Sequence, residues 1–404
     1  MKNANRNILI AAILGITLGF LIKNFSDASF YQPFMGLIDL LGQLFIKALK
    51  MILVPLVFFS IVVGISNLGS AKNADRIWKL TLSYYFLTMA IAVILALFMM
   101  NLIKPGVGLN IQLWEMQHDI ASQTMSFYDF FNQFILGLFS NPFESLATGN
   151  ILPIIIFSIF IGVAFNGSNK KMIAGRQLFE SFYEVILKIV QWIMVLAPIG
   201  IFALLLKLVE SQSFELFNKL GIFIGTVIAI ILIHGIIILP LINYVFTRIN
   251  LKELWVKGRP AFITAFATSS SSATLPITMS VAQQDFKVRK TVSNFVLPLG
   301  ATINMDGTAL YEAAAALFIA NLVGMDLALT QQIILFFIAM VASIGAPGIP
   351  SAGMVTMAMV LQVLGLPLEA LAILLPMDRL LDTFRTTINV EGDLIGSLIV
   401  NKLA

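Results

Sequence analysis

Long stretches without charge are the feature that most constrains the fold of this chain. Five of them contain no Asp, Glu, Lys or Arg: 8–22, 86–103, 151–165, 222–241 and 314–323. A helix needs about 20 apolar residues to cross the roughly 30 Å hydrocarbon core of a membrane, and several stretches reach or approach that length. Over all 404 residues 59% are apolar and only 11% charged, too few charges to cover a water-facing surface. The sequence therefore predicts an all-α polytopic membrane protein.

The basic residues predict an orientation. If the N-terminus is cytoplasmic, the basic clusters at 72–79, 170–176 and 248–259 also fall on the cytoplasmic side, as does Lys402. Lys and Arg concentrate in the cytoplasmic loops of membrane proteins. We therefore expect a multi-pass protein of the inner membrane with both termini in the cytoplasm. The net charge of +4 requires no nucleic-acid partner, and the absence of cysteine excludes disulfides and thiolate metal sites.

The two halves of the chain differ in pattern. The first half is interpreted as spanning helices near 8–23, 34–67, 78–103, 127–165, 180–207 and 215–246. In the second half, 258–290 and 328–366 each hold two short apolar segments, separated by the polar turn 268–272 and the Gly/Pro turn 345–351. Such pairs predict re-entrant helical hairpins, whose tips are tolerated at membrane depth when protein or a wet cavity covers them. A charged helix follows each hairpin, and this repetition indicates a transporter with a site at an inverted-repeat interface.

The last predicted helix carries a polar stripe. Its members fall within an arc of roughly 80° at 100° per residue: Asp378, Asp382, Arg385, Asn389 and Asp393. An unpaired charge at the centre of a bilayer costs at least ~2.5 kcal/mol, so the stripe must face partners. An internal salt bridge to Arg385 is one interpretation, but it satisfies one aspartate and leaves others without a positive partner. We expect a cation or a substrate ammonium group to supply the missing charge.

A second polar segment, Asn304 to Thr308, interrupts an apolar helix. Asn and Gly weaken a helix and free backbone carbonyls, and Asp306 offers a hard oxygen ligand, so the segment predicts either a Na⁺ site or a simple kink. Glu312 is either a proton carrier or a neutral, hydrogen-bonded residue. The serines at 269–272 are expected to cap a helix beginning near Ala273, where the helix N-terminus can also attract an anion. His234 lies alone in an apolar helix and is interpreted as structural.

Four stretches together resemble the dicarboxylate/amino-acid:cation symporter family, which includes the excitatory amino acid transporters. They are TSSSSATLP at 268–276, ATINMDGTALYE at 301–312, ASIGAPGIPSAG at 342–353 and MDRLLDTFRTTINVEGD at 377–393. The resemblance implies an elevator-type glutamate transporter fold with about eight transmembrane helices, two re-entrant hairpins and inverted repeats, assembled as a homotrimer among membrane lipid. It also implies scaffold helices 1–2 in 1–75, transport-domain helix 3 and an outer loop in 76–126, and scaffold helices 4–5 in 127–210. Helix 6 of the transport domain would occupy 211–256, and its core, with both hairpins, 257–404.

The resemblance also implies roles for individual residues. Arg385 would hold a substrate's side-chain carboxylate and Asp382 its ammonium group, in a site completed by Ser270, Ser271, Thr308, Ile349, Gly353, Thr386 and Asn389. One sodium site would use Gly300, Asn304, Asn389 and Asp393, and a second Thr302, Met305, Ser343, Ile344 and Ala346. A third would use Tyr85, Thr88, Asn304 and Asp306. Glu312 matches the position of proton coupling in animal members.

These residues favour import of L-glutamate or L-aspartate coupled to Na⁺, because the family's neutral amino-acid carriers lack the Arg385 equivalent and its dicarboxylate carriers lack that of Asp382. A proton-coupled symporter is the alternative, followed by a dicarboxylate carrier or an anion channel. An enzyme is not expected, since no Gly-x-Ser-x-Gly or His-Glu-x-x-His motif occurs. Two departures from the family pattern stand out: Met89 replaces a hydroxyl of the third sodium site, and Pro347 lies in the second hairpin's tip.

Overall fold

The computed structural model describes residues 2–27, 29–67, 75–109, 136–148, 150–166, 172–211, 215–344 and 353–404. Within these ranges the chain is helical and forms no strand. In chain order the α-helices are α1 Lys2–Ile22, α2 Tyr31–Asn67, α3 Asp75–Ile103, α4 Pro142–Thr148, α5 Ile151–Asn166, α6 Ile173–Ser211, α7 Glu215–Leu232, α8 Leu239–Thr247, α9 Leu251–Thr268, α10 Ser271–Ser280, α11 Lys290–Ile303, α12 Asp306–Leu322, α13 Leu329–Ile344, α14 Gly353–Val363 and α15 Leu371–Leu403.

Two helical stretches in the described residues are long and apolar enough to cross a membrane. They are Arg76–Ile103 in α3 and Asn218–Thr247, which runs from α7 into α8. A third candidate is α6, whose parts Ile173–Val190 and Val195–Lys207 meet at 48°. Pro198 follows the bend, and a proline obstructs the carbonyl four residues before it, which accounts for a kink there. The larger number of spans that the sequence suggests stays a prediction.

The helices pack in two groups. In the first group α2 and α6 contact each other, α1 contacts α6, and α5 contacts α2. In the second group α3 and the helices from α7 onward pack mainly around α12 and α15. Helix α12 lies at the centre of the second group, because every residue from Asp306 to Ala320 is buried. The division into scaffold and transport parts that the resemblance implies stays a prediction.

Both predicted hairpins contain two packed helices. Helices α9 and α10 contact each other across a turn in which Ser269 adopts a left-handed conformation (φ 50°). Ser270 caps α10, because its side chain accepts a hydrogen bond from the backbone N–H of Ala273. Helices α13 and α14 also contact each other, and the tip between them, 345–352, lies outside the described residues.

The single helix predicted over 127–165 is wrong where it can be compared. Helix α4 ends at Thr148 and a separate helix, α5, begins at Ile151. The predicted helix over 215–246 is also interrupted, by a π-helical segment, Ile233–Ile238. Such segments insert one extra residue per turn and re-aim the side chains that follow.

Candidate functional site

Arg385 on α15 is buried and partly paired. Only 1% of its surface is exposed. Nη2 donates to Oδ1 of Asp378 at 2.7 Å and to Oδ1 of Asp382 at 2.9 Å, and the guanidinium lies 4.1 Å from the ring centre of Tyr311. Nε and Nη1 have no hydrogen-bond partner among the described residues. Hydrogen bonds from a charged guanidinium to an anion are strong, so these donors can take an anionic group.

The paired aspartates correct one expectation. An internal salt bridge was expected to satisfy only one of them, whereas Arg385 contacts both, and Nη1 of Arg379 lies 3.6 Å from Oδ2 of Asp382. The spacing along α15 allows this because positions three and seven residues before Arg385 both lie on its side of the helix. Asp393 is different, since no Lys, Arg or His pairs with it in the part of the chain that the structure describes.

Hydrogen bonds connect the break between α11 and α12 to α15. Asn304 and Met305 leave helical geometry, with ψ of 85° and 49°. Asn304 Nδ2 donates to Oδ1 of Asp393 at 3.0 Å, and the Gly307 backbone N–H donates to Oδ1 of Asn389 at 2.7 Å. The contact is close enough to require glycine: a Cβ added to Gly307 would lie 2.5 Å from the carbonyl oxygen of Arg385. The non-helical break therefore lies beside a buried carboxylate, and oxygen ligands of this kind suit a hard cation.

A second buried carboxylate, Asp306, begins α12. Its Oδ1 accepts a hydrogen bond from the Thr88 hydroxyl of α3 at 3.2 Å. Its Oδ2 lies 3.0 Å from Nε2 of His234, and both side chains are fully buried. The nearby Tyr85 hydroxyl donates to the Val296 carbonyl of α11 at 2.9 Å. The structure thus brings two of the residues implied for the third sodium site into direct contact, together with a histidine that the sequence analysis set aside.

His234 could have been noticed from its setting. It stands in a stretch without charged residues, and an ionisable residue inside a membrane segment points to a functional site by default. The sequence gives no sign of its partner, which lies 72 positions away.

Comparison with known proteins identifies the family. The profile of the sodium:dicarboxylate symporter family matches residues 5–403. The chain belongs to this family. It is 35% identical to excitatory amino acid transporter 3 of Bos taurus over 98% of this chain and 84% of that protein. It is 34% identical to an excitatory amino acid transporter of Caenorhabditis elegans (96% and 85%) and 33% identical to the proton/sodium-glutamate symport protein of Bacillus caldotenax (98% and 93%). The resemblance seen in the four motifs is confirmed.

Family membership and the apolar helices make this symporter a multi-pass membrane protein, and the family is one of transporters rather than enzymes. The other predicted substrate residues in the described ranges lie on α15 or on helices that contact it. Ser271 and Thr386 are buried, and α10 packs against α15. A Cβ on Gly353, at the start of α14, would lie 3.2 Å from Nη1 of Arg385. The Thr308 hydroxyl lies 3.9 Å from the sulphur of Met305, which also accepts from Nδ2 of Asn389 at 3.3 Å.

Of the remaining residues predicted to bind cations, Thr302 and Ser343 make hydrogen bonds with other partners rather than with one another. The Thr302 hydroxyl donates to the Leu299 carbonyl at 3.0 Å. The Ser343 hydroxyl on α13 lies within hydrogen-bond distance of two acceptors, the sulphur of Met89 at 3.0 Å and the Met340 carbonyl at 2.8 Å. Ile344 ends α13. Ile349 and Ala346 lie outside the described residues.

Glu312 lies two turns into α12 and is fully buried. Neither of its oxygens has a hydrogen-bond partner in the described ranges, and the nearby Thr356 hydroxyl donates instead to the Gly353 carbonyl at 3.1 Å. A carboxyl in such a place is more stable when it holds a proton, because burial without a partner penalises the charged form.

Proposed function

We propose that this symporter imports L-glutamate or L-aspartate together with Na⁺. The observation that carries the proposal is the buried Arg385: Asp378 and Asp382 hold its Nη2, while Nε and Nη1 have no hydrogen-bond partner among the described residues. Arg385 binds the side-chain carboxylate of the substrate through these N–H donors. Asp382 binds the substrate ammonium group. The α-carboxylate lies among Ser270, Ser271, Thr308, Ile349, Gly353, Thr386 and Asn389.

Sodium supplies the driving force. Asp393, Asn304 and carbonyls of Gly300 and Asn389 bind one ion, and carbonyls of Met305 and its neighbours bind a second, with Thr302, Ser343, Ile344 and Ala346. Tyr85, Thr88, Asn304 and Asp306 bind a third. Each ion moved inward gains about 2.3 kcal/mol per 100 mV of membrane potential, so two or three Na⁺ make uptake of an anionic substrate electrically favourable. The name of the Bacillus caldotenax relative, a proton/sodium-glutamate symport protein, agrees with this coupling.

The packing into two groups supports an elevator mechanism. The scaffold is 1–75 and 127–210, and the transport domain, 76–126 with 211–256 and 257–404, carries the site across the membrane. The assembly is a homotrimer in the lipid of a bacterial inner membrane, with about eight spanning helices, two hairpins and both termini in the cytoplasm.

Proton coupling is a second candidate, and the buried Glu312, whose oxygens have no hydrogen-bond partner among the described residues, favours it. In this mechanism Glu312 carries the proton, and the third cation site, altered by Met89, stays empty. Replacing Glu312 by Gln, which holds the shape of the protonated acid, then abolishes uptake driven by a pH gradient and leaves uptake driven by sodium.

Purified protein in liposomes tests these proposals. Uptake of radiolabelled L-aspartate and L-glutamate is measured under an inward Na⁺ gradient, a pH gradient, both, or neither, with succinate as competitor. Accumulation that needs Na⁺ supports the main proposal, and accumulation under the pH gradient alone supports the Glu312 mechanism. Transport of succinate in place of amino acids indicates a dicarboxylate carrier. Anion flux without accumulation of any substrate indicates a channel and overturns both mechanisms.

A further inference from the structure

We propose that His234 is a positioning residue for the cation at Asp306. It donates a hydrogen bond to one oxygen of that carboxylate. The other carboxylate oxygen and the Thr88 hydroxyl are then the groups that face the cation. This inference rests on one part of the proposed function, the binding of Na⁺ by Asp306. Neither the motifs nor the implied sodium ligands include His234.

An irregularity of the backbone positions His234. His234 is the second residue of the π-helical segment Ile233–Ile238, which separates α7 from α8 in a span that would otherwise be one regular helix. The next residue, Gly235, packs so closely on α15 that a Cβ there would lie 2.8 Å from Ile388. The extra residue of a π-turn rotates the side chains after it relative to those before it. The π-helical segment therefore directs the imidazole of His234 towards α12 and packs against α15.

The contact has a defined direction. A carboxylate that binds a cation is ionised and only accepts hydrogen bonds, so in the cation-binding form Nε2 of His234 is the donor to Oδ2 of Asp306, 3.0 Å away. Nδ1 has no partner among the described residues. Within the part of the chain that the structure describes, the polar partner of this fully buried ring is thus Asp306. Asp306 in turn receives a second hydrogen bond on Oδ1, from Thr88 at 3.2 Å. Donors on both oxygens hold the carboxylate in one rotamer.

Imidazole nitrogen is a poor ligand for a hard cation such as Na⁺, which prefers oxygen. His234 therefore acts through Asp306. Residues that orient metal ligands by hydrogen bonds typically change metal affinity by 10–100-fold when they are replaced. We expect an effect of that size on Na⁺ and a much smaller one on the amino-acid substrate.

The test compares two replacements of His234. His234→Gln keeps an N–H donor that reaches Asp306, whereas His234→Met keeps the volume and removes the donor. The matched control is Thr226→Val, which removes a buried hydroxyl from the same span; that hydroxyl bonds only the Ile222 carbonyl. Na⁺ affinity of the purified proteins is measured as the concentration that gives half of the Na⁺-induced rise in Tm, with K⁺ as the reference salt. L-Aspartate affinity is measured separately at saturating Na⁺.

We expect His234→Met to need about 10–100-fold more Na⁺ than the wild type, with His234→Gln recovering most of the loss and Thr226→Val unchanged. In an Asp306→Asn background, His234→Met should cause no further loss. If His234→Met does not fold, His234→Asn, whose amide is too short to reach the carboxylate, replaces it. Wild-type Na⁺ affinity in the variant without the donor, or equal losses with Met and Gln, would overturn the proposal.

The same measurements separate this inference from the proposed function. If the wild type binds Na⁺ but no acidic amino acid, the substrate assignment fails and the comparison at His234 still decides the inference. If Na⁺ does not stabilise the wild type at all, both the sodium coupling and the role of His234 are wrong.

Discussion

Asn304 donates from Nδ2 to Oδ1 of Asp393 at 3.0 Å and so joins the helix break to α15, 89 positions away in the chain. The hydrogen bond places the Asp393 carboxylate beside the non-helical break. Both residues are buried, at 0% and 3% exposure. Two segments that are remote in sequence therefore depend on each other for this site.

Replacing Asp393 by Asn should weaken the sodium dependence of aspartate uptake by about tenfold or more, because a neutral amide attracts Na⁺ less and competes with Asn304 for the same hydrogen bond. A sodium titration of initial uptake rates in liposomes measures this. Asp326→Asn, at an exposed position after α12, serves as the control and should leave the titration unchanged. An unaltered sodium titration in Asp393→Asn counts against its role as a ligand.

Replacing Arg385 by Thr should abolish uptake of acidic substrates and allow binding of neutral amino acids, because the partner of the side-chain carboxylate is lost. Competition of radiolabelled substrate binding by aspartate, glutamate, serine and alanine measures the change. Arg379→Thr is the control, since Arg379 is less buried and lies 3.6 Å from Asp382. Unchanged aspartate transport in Arg385→Thr would falsify the assignment.

The same Arg385 substitution should lower stability. Removing one partner of a buried ion pair costs about 3–5 kcal/mol, because Asp378 and Asp382 are left without their common partner. Adding Asp378→Asn to Arg385→Thr removes one of the uncompensated charges and should restore part of the Tm. Thermal unfolding in detergent checks this, and a double variant no more stable than the single one contradicts the pairing.

Replacing Gly300 by Ala should greatly reduce sodium affinity without a general loss of helix. A Cβ at this position would collide with the Asp393 carboxylate and the Tyr85 hydroxyl, so the site must open to accept it. Gly221→Ala, in α7, has nothing within 4 Å of the added Cβ and is the matched control. Sodium-dependent stabilisation of both variants is measured, and equal behaviour of the two would show that the space around Gly300 does not matter.

Replacing Met89 by Thr should raise sodium affinity or steepen the sodium dependence, because it adds an oxygen beside Thr88 and Asp306. The change also removes the sulphur that accepts from Ser343 and shortens a buried side chain, so stability should fall by about 2–5 kcal/mol. Met100→Thr, buried in the same helix, controls for that loss. An identical sodium dependence in the two threonine variants would exclude Met89 as the cause of a weak third site.

Much of the architecture could be predicted because it depends on local patterns. Apolar runs predicted helices, the serine turn predicted the joint between α9 and α10, and Asn304 with Gly307 predicted the break before α12. The single helix predicted over 127–165 is wrong, because one helix ends at Thr148 and another begins at Ile151, and an apolar run by itself does not show where a helix ends.

The sequence by itself determined the family, the paired hairpins and the polar stripe of α15, since each is written in residues close together along the chain. Only the tertiary structure decided which polar groups meet. It paired Arg385 with two aspartates, and it brought His234 to Asp306. The physical reason is that a buried polar side chain must find a partner in space, and helix packing selects that partner independently of separation along the chain.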